Sequence, residues 1–229
     1  MLGKVIERFS KRMRPNVAFR QDIPLSNLLS SLIARGRVLD IGAGRGWNMA
    51  RLNSKGYEVV GIDVSLPRLE QASKHGAVIM ASSDKLPFQD KSFDIVTSQK
   101  VLHHVQNPWQ TVEEMCRVVK DNCLIFIDEV VEDKALLSLL RTIRPSWDSD
   151  PVKSRFTRSM LKEKLTNQGL VIIREDSFGG NIYWIWRVVE GHSKLLHRLT
   201  SIVMFIERQM NRCSNRFSSR YQVIALKTQ

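Results

Sequence analysis

Short apolar runs alternate with amphipathic stretches between residues 36 and 130. The apolar runs at 38–41, 57–63, 77–81, 93–99 and 122–130 are rich in β-branched residues and predict strands. Helices are predicted between them over 46–56, 66–74 and 108–120, with Gly56 closing the first and Ser65 as the N-cap of the second. Near-continuous apolar strands separated by helices indicate a parallel sheet covered on both faces. The pattern therefore predicts a doubly wound α/β fold.

After residue 130 the alternation is less regular. A helix is predicted from Thr157, its N-cap, to Gln168, followed by strands at 170–176 and 220–228. Between these two strands, apolar residues at helical spacing predict a helical insertion. The predicted organisation is an N-terminal basic helical segment (1–35), an α/β core (36–180), the insertion (181–219) and the final strand of the core (220–229).

Positive charge is concentrated at the two ends of the chain. The net charge is +12, and residues 1–35 contribute seven basic minus two acidic side chains, or +5. Residues 181–229 contribute eight minus two, or +6, whereas residues 36–130 carry eleven against twelve, or −1. Basic flanks attract anions such as a phosphorylated substrate, a nucleic acid or an acidic membrane surface, although they also serve as a solvated surface.

Length and composition fit an ordinary globular domain. The chain has 229 residues, of which 43% are hydrophobic, and no apolar run approaches the length of a membrane-spanning helix. The basic N-terminus lacks the apolar core of a secretory signal, so a cytoplasmic location is expected. The three cysteines match neither a disulfide framework nor a zinc site. No cluster of carboxylates and histidines suggests a required metal.

A glycine-rich turn follows the first predicted strand, in the run Asp40-Ile41-Gly42-Ala43-Gly44-Arg45-Gly46. Glycines allow a positive φ and let a ligand approach the backbone. The third glycine comes one place earlier than in the dinucleotide-binding pattern G-x-G-x-x-G. A carboxylate at Asp40 would also repel a pyrophosphate, so the turn suits a ligand that carries an ammonium group or hydroxyls.

The second predicted strand ends in a carboxylate, Asp63. At this position a carboxylate can accept hydrogen bonds from both ribose hydroxyls of a nucleoside that lies across the edge of the sheet. A purely structural alternative is that Asp63 caps the helix after it. Because the glycine-rich turn lies upstream, the ribose interpretation is favoured.

The motifs VLDIGAGRG, VVGIDVS, LPFQDKSFDIV and VLHHV, in this order and spacing, resemble the class I S-adenosylmethionine-dependent methyltransferases. The resemblance is greatest to the methyltransferase type 11 group, which methylates small molecules, and it covers residues 36–130 best. It implies a Rossmann-like, seven-stranded sheet with an antiparallel last strand. It also implies that S-adenosylmethionine lies across the carboxyl edge of the strands, with Asp63 at the ribose. The remaining implied cofactor contacts are Asp40, Gly42, Ala43, Gly44, Val64, Ser82, Ser83 and Gln99.

The adenine contact departs from the family pattern. Many relatives have an aspartate before the Leu-Pro-Phe motif, and it binds the adenine amino group. Here Ser82 stands at that place, with Ser83 next and Asp84 two positions late. Ser82, Ser83, a main-chain group, or Asp84 after a shift of the loop would then make this contact.

Lys100, His103 and His104 follow the fourth predicted strand, where the family approaches the methyl acceptor. Methyl transfer needs an aligned nucleophile, and an oxygen acceptor also needs a base, for which histidine is suited near neutral pH. His103 and His104 are therefore the candidate catalytic residues, and a scaffold role for the pair is the alternative. Lys100 is a candidate substrate contact.

The insertion, taken with the resemblance, is expected to form a lid over the acceptor. Tyr183 and Trp184 would bind an apolar or ring-shaped acceptor there, unless they only extend the core or the segment binds a membrane surface peripherally. The predicted function is methylation of a small molecule, with oxygen favoured over carbon or nitrogen as the acceptor atom. The rival hypotheses are an RNA methyltransferase that uses the basic flanks and a non-catalytic module that binds S-adenosylmethionine. The oligomeric state is open.

Overall fold

The computed structural model describes residues 29, 32–33, 35–131, 154–155, 157–180 and 218–228. Seven strands form one sheet in the order β3-β2-β1-β4-β5-β7-β6. They are β1 (Arg37–Ile41), β2 (Glu58–Asp63), β3 (Ala77–Met80), β4 (Phe93–Gln99), β5 (Val119–Val130), β6 (Leu170–Gly180) and β7 (Ser218–Lys227). The first five pair in parallel, and β7 runs antiparallel to both β5 and β6. The predicted α/β sheet with its antiparallel last strand is confirmed.

Four α-helices are described: α1 (Trp47–Asn53), α2 (Leu66–Ala72), α3 (Pro108–Val118) and α4 (Arg158–Asn167). Short 3-10 turns follow α2 at Ser73–His75 and β4 at Leu102–His104. The Thr157 side chain accepts a hydrogen bond from the Met160 amide, so the predicted N-cap of α4 is confirmed. Ser65 lies at the N-cap of α2, but its side chain makes no capping bond.

The boundary between α3 and β5 differs from the prediction. The helix ends at Val118 rather than Lys120, and β5 begins directly at Val119 rather than at Asn122. Val119 is completely buried and pairs with Phe93 of β4. Burial of a β-branched side chain in the sheet therefore outweighs the extension of the helix by two residues. β7 likewise begins at Ser218 rather than at Arg220. The predicted helical insertion, over residues 181–217, and most of the predicted N-terminal helical segment lie outside the described residues.

Both faces of the sheet are covered by apolar packing. On one face, Val38 and Val59 pack with Met49 and Leu52 of α1 and with Ala72 of α2. The same face is covered farther along by Leu32, which packs on β5 and β7. On the other face, side chains of α3 and α4 pack on alternate residues of the strands. On β1 and β5 these residues are Leu39, Ile41, Ile125 and Ile127. Packing on both faces therefore stabilises the strand order that brings the carboxyl ends of β1, β2 and β4 together.

Candidate active site

The carboxyl ends of β1, β2 and β4 lie side by side at the point where the strand order reverses. β1 pairs with β2 on one side and β4 on the other, so the crossover connections leave in opposite directions. A crevice at such a switch point is the usual ligand site of an open α/β sheet. Most of the residues predicted to bind the cofactor are among the last residues of these strands or directly follow them.

The glycine-rich turn opens toward this edge at Gly44. Gly42 and Gly44 have φ values of 66° and 54°, in the left-handed region that favours glycine. A Cβ atom on Gly42 would collide with the Val101 side chain, so Gly42 is needed for packing. A Cβ atom on Gly44 would meet no atom closer than the Gly42 carbonyl oxygen, at 4.0 Å. The backbone at Gly44 therefore borders open space that a ligand can fill.

The neighbouring Ala43 serves the turn through its backbone. Its amide donates to the Ile62 carbonyl at 2.8 Å, and its side chain is buried against the apolar cluster of α1. Any contact of Ala43 with a ligand therefore comes from the main chain.

Asp40 is a buried carboxylate with one satisfied oxygen. Oδ1 accepts hydrogen bonds from Thr97 Oγ1 at 2.7 Å and Asn48 Nδ2 at 2.8 Å. Oδ2 is buried and has no partner. Burial raises the pKa of Asp40 to about 6 against the lowering effect of these hydrogen bonds, and the charge of Asp63 raises it slightly further. A cationic ligand group next to Asp40 would supply the missing partner and favour the ionised carboxylate.

Asp63 connects β2 to the glycine-rich turn. Its Oδ2 accepts from the Gly44 amide and its Oδ1 from the Ser65 amide, both at 2.9 Å. The capping role that the sequence left open for Asp63 is thus present, because its Oδ1 accepts from the amide of Ser65 where α2 begins. Each carboxylate oxygen retains acceptor capacity beyond these bonds, so the ribose contact stays a prediction. The adjacent Val64 is 72% exposed, as a surface for packing against a ring requires.

The segment after β3 places Asp84 next to Ser82. The Ser82 hydroxyl donates to Asp84 Oδ1 at 2.5 Å, and Ser82 is exposed. Ser83 is buried, and its hydroxyl is bonded to Thr111 of α3 at 3.0 Å. The Ser83 side chain therefore joins this segment to α3, whereas the Ser82–Asp84 pair offers the polar groups for an adenine.

An arginine clamp holds the rest of this connection. Arg117 on α3 donates to the carbonyl of Phe88 at 2.7 Å and that of Leu86 at 3.1 Å, and it forms ion pairs with Glu114 and Asp90. The clamp explains why the Leu-Pro-Phe run, which has no helix of its own, keeps a defined position beside the site.

Two further buried polar atoms without partners lie at the end of β4, namely Ser98 Oγ and Gln99 Nε2. Ile41 and Ser98 are direct neighbours across β1 and β4, so these atoms lie at the same edge as Asp40. Buried polar atoms are nearly always paired, and an unpaired group often marks a functional site. Gln99 was predicted to bind the cofactor, and Ser98 was not.

Glu129 organises the turn that carries the histidines. This completely buried residue of β5 accepts hydrogen bonds through Oε2 from the amides of Val101 at 3.0 Å and Leu102 at 2.7 Å. Its Oε1 is bonded to Nδ1 of His103, which is also buried. A carboxylate that faces Nδ1 favours the tautomer with the proton on Nδ1, in which Nε2 keeps its lone pair.

His104 and Lys100 belong to the same turn. The ring centroids of His103 and His104 are 3.8 Å apart, and His104 is only partly buried. Lys100 has a φ of 57°, and its amide donates to the Asp128 carbonyl at 2.7 Å. Loss of hydration lowers the pKa of the Lys100 ammonium, as does the nearby charge of Arg220, while Asp128 and Glu129 raise it.

Sequence reasoning missed the acidic pair at the end of β5. Asp128 is paired with Arg220 of β7 and accepts from Gln222 at 3.0 Å, and Glu129 holds His103. The available signal was the run Asp128-Glu129 directly after the apolar Leu124–Ile127, at a strand end. Which neighbours these carboxylates meet depends on contacts from β4 and β7, so the pattern alone could not assign their partners. Tyr183 and Trp184 lie outside the described residues.

Comparison with known proteins agrees with this geometry. A family model of the methyltransferase domain matches residues 39–127. An uncharacterized methyltransferase of Mycobacterium leprae is 34% identical over 102 residues, which cover 42% of this chain and 38% of that protein. An uncharacterized protein of Methanocaldococcus jannaschii is 33% identical over 138 residues, 59% of this chain and 64% of that one. The chain thus spans less than two thirds of the length of these relatives.

The fold comparison extends farther along the chain. The crystal structure of a putative methyltransferase from Bacillus halodurans has a TM-score of 0.66 at 16% identity, covering 92% of this chain and 100% of that one. Residues 39–127 thus match a methyltransferase domain, and the wider fold is that of the putative methyltransferase. Both agree with the resemblance in the sequence to the class I S-adenosylmethionine-dependent methyltransferases, for which S-adenosylmethionine is the expected cofactor.

The residues at the carboxyl edge fit S-adenosylmethionine. The open space at Gly44 leaves room for the ligand against the backbone. The unpartnered Oδ2 of Asp40 suits the ammonium group of the methionine moiety.

Of the described residues, no helix is long and apolar enough to cross a membrane.

Proposed function

We propose that this protein transfers the methyl group of S-adenosylmethionine to an oxygen atom of a small-molecule acceptor, and that His103 removes the proton of that oxygen. The contact between Nδ1 of His103 and the buried Glu129 supports the proposal most directly. This arrangement leaves Nε2 as the proton-accepting atom of a neutral imidazole. An amine that reacts as a free base has less need of such a base, so the arrangement favours an oxygen acceptor.

When bound, S-adenosylmethionine supplies an electrophilic methyl group on a sulfonium. Held at Asp40 and Gly44, it would give its methyl carbon to the acceptor oxygen and keep the electron pair of the broken carbon–sulfur bond on sulfur. The hydroxyl proton passes to Nε2 of His103, and Glu129 stabilises the imidazolium that results. The turn at 101–104 is bonded to β5 through the Glu129 carboxylate, so its position relative to the sheet is fixed before the acceptor arrives.

The test is to incubate the protein with methyl-labelled S-adenosylmethionine and a cell extract separated into small-molecule and RNA fractions. We expect label on oxygen in a small molecule. A His103→Gln variant should lower kcat by about 10²- to 10⁴-fold, the usual contribution of a general base, while the Kd for S-adenosylmethionine stays unchanged. His104→Gln serves as the neighbouring control and should retain most of the activity.

Three results would contradict the proposal. Label that appears only in RNA would favour the rival RNA methyltransferase. Tight binding of S-adenosylmethionine without label in either fraction would favour a non-catalytic module. Label on a small molecule with unchanged kcat in His103→Gln would remove His103 as the base.

A further inference from the structure

Two lysines flank β4, and both have a backbone conformation that favours glycine. Lys91 has a φ of 54° shortly before the strand begins at Phe93, and Lys100 has a φ of 57° directly after it ends. The ammonium of Lys91 is ion-paired with Asp121, at the end of the sheet that lies away from the glycine-rich turn. Within the described part of the chain, the ammonium of Lys100 has no such ion pair. The two residues therefore share a backbone conformation and differ in what neutralises their charge.

The carboxylates nearest to Lys100 already have other partners. Asp128 is engaged by the Arg220 guanidinium and by the Gln222 amide group. Both oxygens of Glu129 accept hydrogen bonds from the turn that carries His103. Among the described residues, these two carboxylates are therefore not free to pair with Lys100, whose backbone begins the turn that carries His103. Lys100 is exposed, and partial loss of hydration together with the charge of Arg220 lowers the pKa of its ammonium.

The position of the Lys100 backbone is closely defined. Its amide donates to the Asp128 carbonyl at 2.7 Å, and the next two amides donate to Glu129. Lys100 and His103 are thus carried by one turn that is bonded to β5 at three successive amides. An acceptor held by Lys100 would therefore stay close to the turn that carries His103.

We infer that the methyl acceptor carries an anionic group, a carboxylate or a phosphate, which the ammonium of Lys100 binds while the acceptor hydroxyl faces His103. The inference rests on the proposed function, because it concerns the acceptor of that same reaction. The methyl group and the proton move as described above, and the anionic group takes no part in the bond changes.

The first experiment separates a metabolite extract by anion exchange and incubates each fraction with methyl-labelled S-adenosylmethionine. Labelled product is expected from the fraction that the resin retains. Pretreating that fraction with alkaline phosphatase distinguishes the two sources of charge, because it abolishes labelling of a phosphate ester and leaves a carboxylate acceptor intact.

The second experiment compares Lys100→Met with Lys100→Arg and with the control Lys91→Met. The unmethylated form of the labelled product is titrated against each variant. We expect Lys100→Met to raise KM at least tenfold with a smaller change in kcat, since it removes a charge-assisted contact to the bound acceptor. Lys100→Arg should restore most of the affinity, and Lys91→Met should leave KM unchanged.

Labelled product only in the unretained fractions, or an unchanged KM in Lys100→Met, would overturn the inference while leaving the proposed function intact. Absence of label in every fraction, with S-adenosylmethionine still bound, would instead overturn the proposed function and with it this inference.

Discussion

At the scale of single residues, three of the four buried carboxylates at the described strand ends have different roles because their neighbours differ. Asp40 keeps one oxygen without a partner, whereas both oxygens of Asp63 accept backbone amides. Glu129 is fully occupied by the histidine turn. Only Asp40 is therefore in a position where a ligand cation relieves the cost of burying an ionised group.

The raised pKa of Asp40 predicts that cofactor binding depends on pH. A cationic ammonium prefers the ionised carboxylate, but free Asp40 takes up a proton as the pH falls through about 6. Binding at lower pH must therefore release that proton, so the affinity for S-adenosylmethionine should fall about tenfold between pH 7 and pH 5. Calorimetry across this range measures the change, with buffers of different ionisation enthalpy to count the released protons.

Asp40→Asn is the matched control for this dependence. The amide has a similar size but does not ionise, so its affinity should be weaker at pH 7 and nearly constant down to pH 5. An equal pH dependence in both proteins would show that another group causes it.

At the scale of elements, α1 lies between two glycines with the same backbone requirement and different surroundings. Gly44 precedes the helix with a φ of 54°, and Gly56 follows it with a φ of 84°. A Cβ atom on Gly56 would meet nothing within 4 Å, and one on Gly44 would meet only the Gly42 carbonyl oxygen, at 4.0 Å. Alanine at either site should therefore cost a similar amount of folding free energy, about 1–2 kcal/mol, through the left-handed conformation alone.

The pair Gly44→Ala and Gly56→Ala separates the cost of strain from the loss of the ligand space. Both variants should lower Tm by a comparable amount. Only Gly44→Ala should also weaken S-adenosylmethionine binding, by at least tenfold, since its methyl group occupies the space next to the ligand. Thermal unfolding and calorimetry measure the two effects, and equal cofactor affinities would refute the placement of the ligand at Gly44.

At the scale of the whole molecule, the last two strands hold the ends of the insertion together. β6 and β7 pair as far as Gly180 and Ser218, so the two strand ends that flank residues 181–217 lie opposite each other. A short Asn-Gly turn suits such an antiparallel junction. The insertion can therefore be removed while the strands that form the cofactor edge remain.

Replacing 181–217 with Asn-Gly should spare S-adenosylmethionine binding and abolish methyl transfer, as expected if Tyr183 and Trp184 contact the acceptor. Calorimetry checks the first part and the labelling assay the second. Retention of full transfer would contradict the lid. The double variant Tyr183→Ala, Trp184→Ala is the control for a deletion that merely fails to fold, and it should raise KM for the acceptor.

The sequence by itself determined the order and type of the described elements and the place of the glycine-rich turn between β1 and α1. Strand and helix patterns are local, and the spacing of Asp40, the glycines and Asp63 is set by one strand-turn-helix-strand unit, so short-range rules suffice. Local rules failed at Val119, where pairing with Phe93 from a distant strand extends β5 at the expense of the helix.

Only the tertiary structure decided the partners of the charged groups. The carboxylate of Glu129 meets His103, and that of Asp128 meets Arg220, because the sheet order places β5 between β4 and β7. Tertiary packing likewise left Asp40 Oδ2 unpaired and Lys100 without a counter-ion among the described residues. Which carboxylate neutralises which cation depends on distances across strands that are far apart in sequence. The ion pairs and hydrogen bonds of the charged groups around His103 therefore could be assigned only from the folded chain.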